Sequence, residues 1–90
     1  MYIKGRRKGT VRFAVKAKSG YKDVQIAGDF NNWRPSKMRK GKDGGYVKVF
    51  ELAPGAYEYK FMVDGKWIVD PENSDFAANS YGTVNSVANV

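Results

Sequence analysis

The 90-residue sequence has no cysteine and no histidine. Disulfide bridges, thiolate nucleophiles, zinc sites of the usual ligand types and Ser-His-Asp or Cys-His catalysis are thereby excluded, and no cofactor or metal is expected. A thiol-free chain fits a reducing compartment. No apolar run approaches the roughly 20 residues of a membrane span, and residues 1–10 lack a signal-peptide core, so a soluble, cytoplasmic protein is expected. Leucine is almost absent, with Leu52 alone. Long uninterrupted stretches are missing too, because ten glycines and three prolines cut the chain into short pieces. A helix of average length has nowhere to sit.

What is present favours strands. Ten valines, three isoleucines and thirteen aromatics make up most of the apolar set, and β-branched and aromatic side chains pack well on a pleated surface. Thr10 to Lys16 alternates, with Val11, Phe13 and Val15 on one face, which predicts a half-buried strand. A second is expected from Asp23 to Gly28, followed by a loop over Asp29 to Pro35 and a short edge strand near Lys37 to Lys40. Lys42-Asp43-Gly44-Gly45 reads as a turn. From Tyr46 to Leu52 a strand follows whose inward face stays open, since Tyr46, Phe50 and Leu52 compete with Val47 and Val49. After a tight turn at Ala53-Pro54-Gly55, Ala56 to Val63 is the clearest strand, with Tyr57, Tyr59, Phe61 and Val63 on one face. Asp64-Gly65 is a strong hairpin signal, returning through Lys66 to Val69. Residues 70–82 read as irregular, and Thr83 to Val90 closes the chain. Turns at this spacing predict an all-β fold, a two-sheet antiparallel sandwich or a small barrel. Residues 1–9 are expected as a loosely held basic arm, and residues 10–90 as a single domain.

The 16 Lys and Arg exceed the 9 Asp and Glu, leaving +7. That excess favours polyanions or serves solubility. A nucleic-acid-binding small β domain is therefore one reading, with bases stacking on aromatics in a positive groove. The K/R-G-F/Y type of RNA-binding signature is absent, however. Catalysis has little to work with: Asp43 and Asp64 suit turns, Asp29 suits a loop start, and Glu51 and Glu58 alternate outward along strands. No phosphate-cradling glycine loop appears.

The aromatics carry more information. A two-residue Asp64-Gly65 turn puts Val63 opposite Lys66, Met62 opposite Trp67 and Phe61 opposite Ile68. Phe61 belongs to the apolar face, so Trp67 lies on the other face, diagonal to Lys60 and within reach of a long side chain. Trp33 sits in a loop beside Asn31 and Asn32. A flat ring flanked by amides and a lysine suits a pyranose, whose axial C–H groups meet the ring while its hydroxyls meet the polar groups. The alternative for either tryptophan is burial as ordinary core. A third functional reading is a protein–protein module built on the same aromatic patch.

Two stretches carry a specific resemblance. Val24-Gln25-Ile26-Ala27-Gly28-Asp29-Phe30-Asn31-Asn32-Trp33 and Gly55-Ala56-Tyr57-Glu58-Tyr59-Lys60-Phe61-Met62-Val63-Asp64-Gly65-Lys66-Trp67, with Asp70-Pro71 and Gly82-Thr83-Val84-Asn85-Ser86 after them, resemble the family 48 carbohydrate-binding modules. Within these the likeness is to the glycogen-binding domains of AMP-activated protein kinase β-subunits. The resemblance implies an immunoglobulin-like β-sandwich that holds α-1,4-glucans (glycogen, starch, maltooligosaccharides, cyclodextrin) on an open surface without catalysis. It further implies stacking by Trp33 and Trp67, hydroxyl contacts from Lys60, Thr83 and Asn85, and association with a larger amylolytic enzyme or kinase subunit. One departure stands out: Tyr81 occupies a position where the kinase modules often carry leucine, which leaves chain-length and branching preference open.

Overall fold

The computed structural model describes residues 1–16, 21–41 and 44–90, so part of the turn expected at residues 42–45 lies outside the described residues. Among the described residues ten strands follow one another: β1 (Tyr2–Lys4), β2 (Thr10–Val15), β3 (Val24–Gly28), β4 (Ser36–Lys37), β5 (Arg39–Lys40), β6 (Tyr46–Glu51), β7 (Ala56–Val63), β8 (Lys66–Ile68), β9 (Phe76–Ala78) and β10 (Val84–Asn89). Among the described residues the helical content is a single 3₁₀ turn, Asp29–Asn31, and no helix is long and apolar enough to cross a membrane. One sheet has the order β1-β2-β6-β5; the other runs β4-β3-β7-β10-β9, with β8 also paired to β7. Every pairing is antiparallel. The fold is the expected immunoglobulin-like antiparallel sandwich.

The core lies between the sheets. Val11, Phe13 and Val15 of β2 face Ile26 of β3 and Tyr59, Phe61 and Val63 of β7, all buried. Phe13 is its hub, with ring centroids 4.9 Å from Tyr59, 5.0 Å from Phe30 and 5.9 Å from Phe50. Such offset and edge-on aromatic pairs add to plain area burial. Register settles the face of β6: Val11 opposes Phe50 and Val15 opposes Tyr46, so Tyr46 and Phe50 point inward while Val49 is left exposed.

A polar network lines the inner side of the larger sheet. Tyr59 donates its hydroxyl to Asp70 Oδ2 at 2.7 Å, and Asn73 Nδ2 donates to the Tyr59 oxygen at 3.0 Å. Asp70, 1% exposed, also accepts from the Glu72 N–H at 2.9 Å and donates its own N–H to Ser86 Oγ at 2.8 Å. Burial pushes the Tyr59 phenol well above its ordinary range; Asn73 opposes the rise and the Asp70 carboxylate adds to it.

Three sequence expectations change. The basic arm at residues 1–9 is not loosely held throughout, because Tyr2–Lys4 pair with β2 and the Tyr2 ring packs on Phe13 and Tyr59. A three-residue strand between charges has no periodicity to reveal it. The edge strand near Lys37–Lys40 is two strands on different sheets, β4 on β3 and β5 on β6, with Met38 buried where the chain crosses. The stretch at residues 70–82 is not wholly irregular, since β9 pairs with β10.

Candidate functional site

The outer face of the larger sheet is built from residues that alternate with the core. The Asp64-Gly65 turn has positive φ at both positions, +49° and +82°, the two-residue hairpin geometry that matches strand twist. It fixes Phe61 opposite Ile68, Met62 opposite Trp67 and Val63 opposite Lys66. Trp67 therefore points outward, 47% exposed. β8 stops at Ile68, so the strand pairing is one residue shorter than the Lys66 to Val69 return expected.

Trp33 arrives by a different route. Phe30, within the 3₁₀ turn, packs inward on Phe13 and Phe50, the latter at 4.5 Å, which anchors the loop. Asn31 turns back on its own chain: its Oδ1 accepts from Gly28 N–H at 2.9 Å, and its Nδ2 donates to Ile26 O and Ser36 Oγ. The expectation that Asn31 flanks a sugar is thus replaced by a loop-closing role. Asn32 and Trp33 then take positive φ, +56° and +59°, unusual for a residue as bulky as tryptophan. The Trp33 N–H donates to Gly28 O at 3.0 Å, and its indole Nε1–H donates to Asp29 Oδ1, also at 3.0 Å. Gly28 is required by space rather than by φ. A Cβ there would lie 2.6 Å from Glu58 O and 2.8 Å from Phe30 and Tyr59 side chains.

The two indoles meet with centroids 6.5 Å apart at an interplanar angle of 63°. Around them opens a cleft of about 630 Å³, also lined by Asp29, Glu58, Lys60, Asn79, Tyr81, Thr83 and Asn85. Lys60 Nζ donates to Thr83 Oγ1 at 3.2 Å. Asn85, 7% exposed, donates through Nδ2 to Glu58 Oε1 at 3.0 Å. All six residues singled out from the sequence (Trp33, Lys60, Trp67, Tyr81, Thr83 and Asn85) border this one cleft, and Tyr81 stands out at its rim, 89% exposed.

Three further residues organise the walls, and sequence reasoning missed all three; Glu58, read only as alternating outward along its strand, holds Asn85. Asp29, read as a loop start, serves Trp33 with one oxygen and accepts from the Glu58 N–H at 2.8 Å with the other. Asn79, within the stretch read as irregular, accepts from the Tyr81 and Thr83 N–H groups at 2.9 and 3.2 Å. Its Nδ2 donates to Thr83 Oγ1 at 2.7 Å and Asn85 Oδ1 at 3.1 Å. The Asn79 spacing to Tyr81 is an Asx-turn pattern that could have signalled it; the long-range Asp29–Glu58 contact has no local signature.

Comparison with known proteins fits this geometry. Residues 11–90 match the family described as the glycogen recognition site of AMP-activated protein kinase. The chain belongs to this family. Among relatives of this glycogen-recognition module, the kinase subunit beta-1 of Rattus norvegicus is 35% identical over 71 residues, covering 79% of this chain and 26% of that protein. The subunit beta-2 of Mus musculus is 33% identical over 76 residues, 84% of this chain and 28% of the relative. The chain thus spans far less than the full length of these relatives. In structure, the maltogenic amylase from S. marinus aligns with all of this chain and 16% of its own at a TM-score of 0.83 and 25% identity. A putative alpha amylase from Salmonella typhimurium shares the fold at a TM-score of 0.72 and 21% identity, covering 97% of this module and 14% of that chain.

Proposed function

We propose that the module binds α-1,4-linked glucans in this cleft without acting on them. In this reading Trp33 and Trp67 stack on glucose rings, Lys60 and Asn85 pair with hydroxyls, and Thr83 and Tyr81 complete the rim. The observation that carries it is the convergence of two indoles from separate elements beside Lys60, Thr83 and Asn85 on one open face. Hydrogen-bonding capacity remains for a ligand. Lys60 has three donors, and Asn85 keeps a second amide hydrogen and a second carbonyl lone pair.

The two carboxylates in the cleft argue for binding rather than hydrolysis. Asp29 accepts from Trp33 and from the Glu58 backbone, while Glu58 holds Asn85, so both are occupied in positioning the site. A shallow site of this kind should bind with a dissociation constant of roughly micromolar to millimolar, about 4–8 kcal/mol. Attachment to a larger amylolytic enzyme or kinase subunit and a cytoplasmic setting belong to the same proposal.

The nucleic-acid reading loses its physical basis in the arrangement of charge. Arg12 pairs opposite Val49 and Arg39 opposite Val47 on the outer face of the smaller sheet, whereas the cleft lining that holds the indoles sets one cation, Lys60, against the carboxylates of Asp29 and Glu58. Base stacking in a positive groove needs both together. The test titrates maltoheptaose and oligothymidylate separately, each at low and moderate salt, while following tryptophan fluorescence. Maltoheptaose is expected to bind with little salt response. Steeply salt-dependent binding of the oligonucleotide, the mark of counterion release, with no response to maltoheptaose would overturn the proposal. A flat response to both ligands would overturn it in favour of a protein partner.

A further inference from the structure

We infer that Asp29 is the positioning residue of the glucan site, holding Trp33 against the strand that carries Lys60; this rests on the glucan reading above. Its carboxylate meets two N–H donors from distant parts of the chain. Oδ1 accepts from the Trp33 indole at 3.0 Å and Oδ2 from the Glu58 backbone at 2.8 Å. β7 thus becomes the reference frame for the indole, because the residue after Tyr59 on that strand is Lys60. The platform and the ammonium are held in one rigid relation instead of being assembled on binding.

The need for such a clamp follows from the loop itself. Trp33 leaves its turn in the left-handed region, directly after Asn32 in the same region, and its ring reaches over an open cleft rather than into the core. A polar loop with no clamp would leave the indole several rotamers, and ordering it would weaken binding. The carboxylate removes that freedom before the sugar arrives, and charge-assisted bonds of this kind are stronger than neutral ones.

The chemistry of the acceptor makes the inference sharp. A carboxylate has two accepting oxygens, whereas an amide has one oxygen and one NH₂. In Asp29→Asn one of the two positions now held by accepting oxygens becomes an NH₂, so Trp33 and Glu58 can no longer both be met in the present geometry. Asp29→Ala satisfies neither.

The experiment combines maltoheptaose titration with NMR of the two indole N–H resonances in the native chain, Asp29→Asn, Asp29→Ala and Trp33→Phe, the last assigning the Trp33 signal. Expected for Asp29→Ala is an affinity about tenfold lower, with the Trp33 indole N–H resonance moved upfield and that of Trp67 nearly unchanged. Asp29→Asn should fall between the native chain and Asp29→Ala in affinity. Thermal unfolding of each variant separates loss of the clamp from loss of the fold. Three outcomes overturn the inference: Asp29→Ala binding as the native chain does; weakened binding with the Trp33 resonance unmoved, which would make Asp29 a direct sugar contact; and equal loss of both indole signals together with the fold. If the native chain ignores maltoheptaose, the glucan reading falls instead, and the Trp33 resonance alone then decides whether Asp29 clamps the ring.

Discussion

Two polar networks lie on opposite sides of the same two strands. Inside, Tyr59 of β7 and Ser86 of β10 join Asp70 and the partly buried Asn73 in a network on the inner side of the larger sheet. Outside, Glu58 and Lys60 of β7 and Asn85 of β10 join Asp29, Asn79 and Thr83 around the cleft. Successive strand residues point to opposite faces, so Glu58, Tyr59 and Lys60 alternate between the two jobs. The inner network ties the segment after β8 to the inner side of the larger sheet, and a polar group left unpaired there is costly. The outer one fixes where two rings and an ammonium stand. The period of two separates them, and each should be breakable without the other.

The largest effect is expected on the outer side. Trp67→Ala removes a whole platform and should cost about 2–4 kcal/mol of glucan binding, abolishing it in practice for so weak a site. Its melting temperature should move by no more than about 4 °C, because the ring is half exposed; calorimetric titration and a thermal melt check the pair. An unfolded Trp67→Ala chain would erase the separation of the two networks.

The reciprocal break is Tyr59→Phe. It leaves Asp70 and Asn73 each short of a buried partner and should destabilise the fold by about 1–3 kcal/mol, read by urea unfolding. Glucan affinity of the folded protein should stay the same. The pH dependence has a definite sign. The folded-state value for Tyr59 is raised, so the native state keeps a proton that the unfolded chain releases near pH ~10. This contribution is whole below that pH and is lost as pH rises through and beyond it. Tyr59→Phe should flatten part of the alkaline fall in stability.

A smaller effect is expected at Asn79→Ala, which removes the anchor of the β9–β10 loop. Affinity should fall by about 1 kcal/mol, several-fold in dissociation constant, with little change in unfolding. Smallest of all, Arg12→Glu combined with Arg39→Glu reverses charge on the far sheet and should leave maltoheptaose affinity within about twofold at 0.15 M salt, where charges more than ~8 Å apart are screened. A large change there would mean that the site feels the whole molecule's field.

These residues also show what could be read in advance. Trp67 was legible because a hairpin turn converts sequence distance into strand register, and register into a face. Tyr59 and Phe61 were legible for the same reason, as part of a long alternating run. Asp29 was not, since its significance depends on Glu58, 29 residues away. Nor were β1 and β9, three-residue strands defined by their partners. Trp33 lay between these cases: its residue neighbours suggested a sugar platform, but its direction is set by Phe30 plugging the core and by two left-handed residues.

The crossing at Ser36–Lys40 has a consequence beyond the cleft. One segment supplies the terminal strand of both sheets, β4 to the larger and β5 to the smaller, and places Lys37, Arg39 and Lys40 along those margins. Open margins invite neighbouring chains to zip on, whereas very short, cationic ones repel them. A long polysaccharide would seat many copies shoulder to shoulder, and these two margins, at least, would resist zipping onto a neighbour.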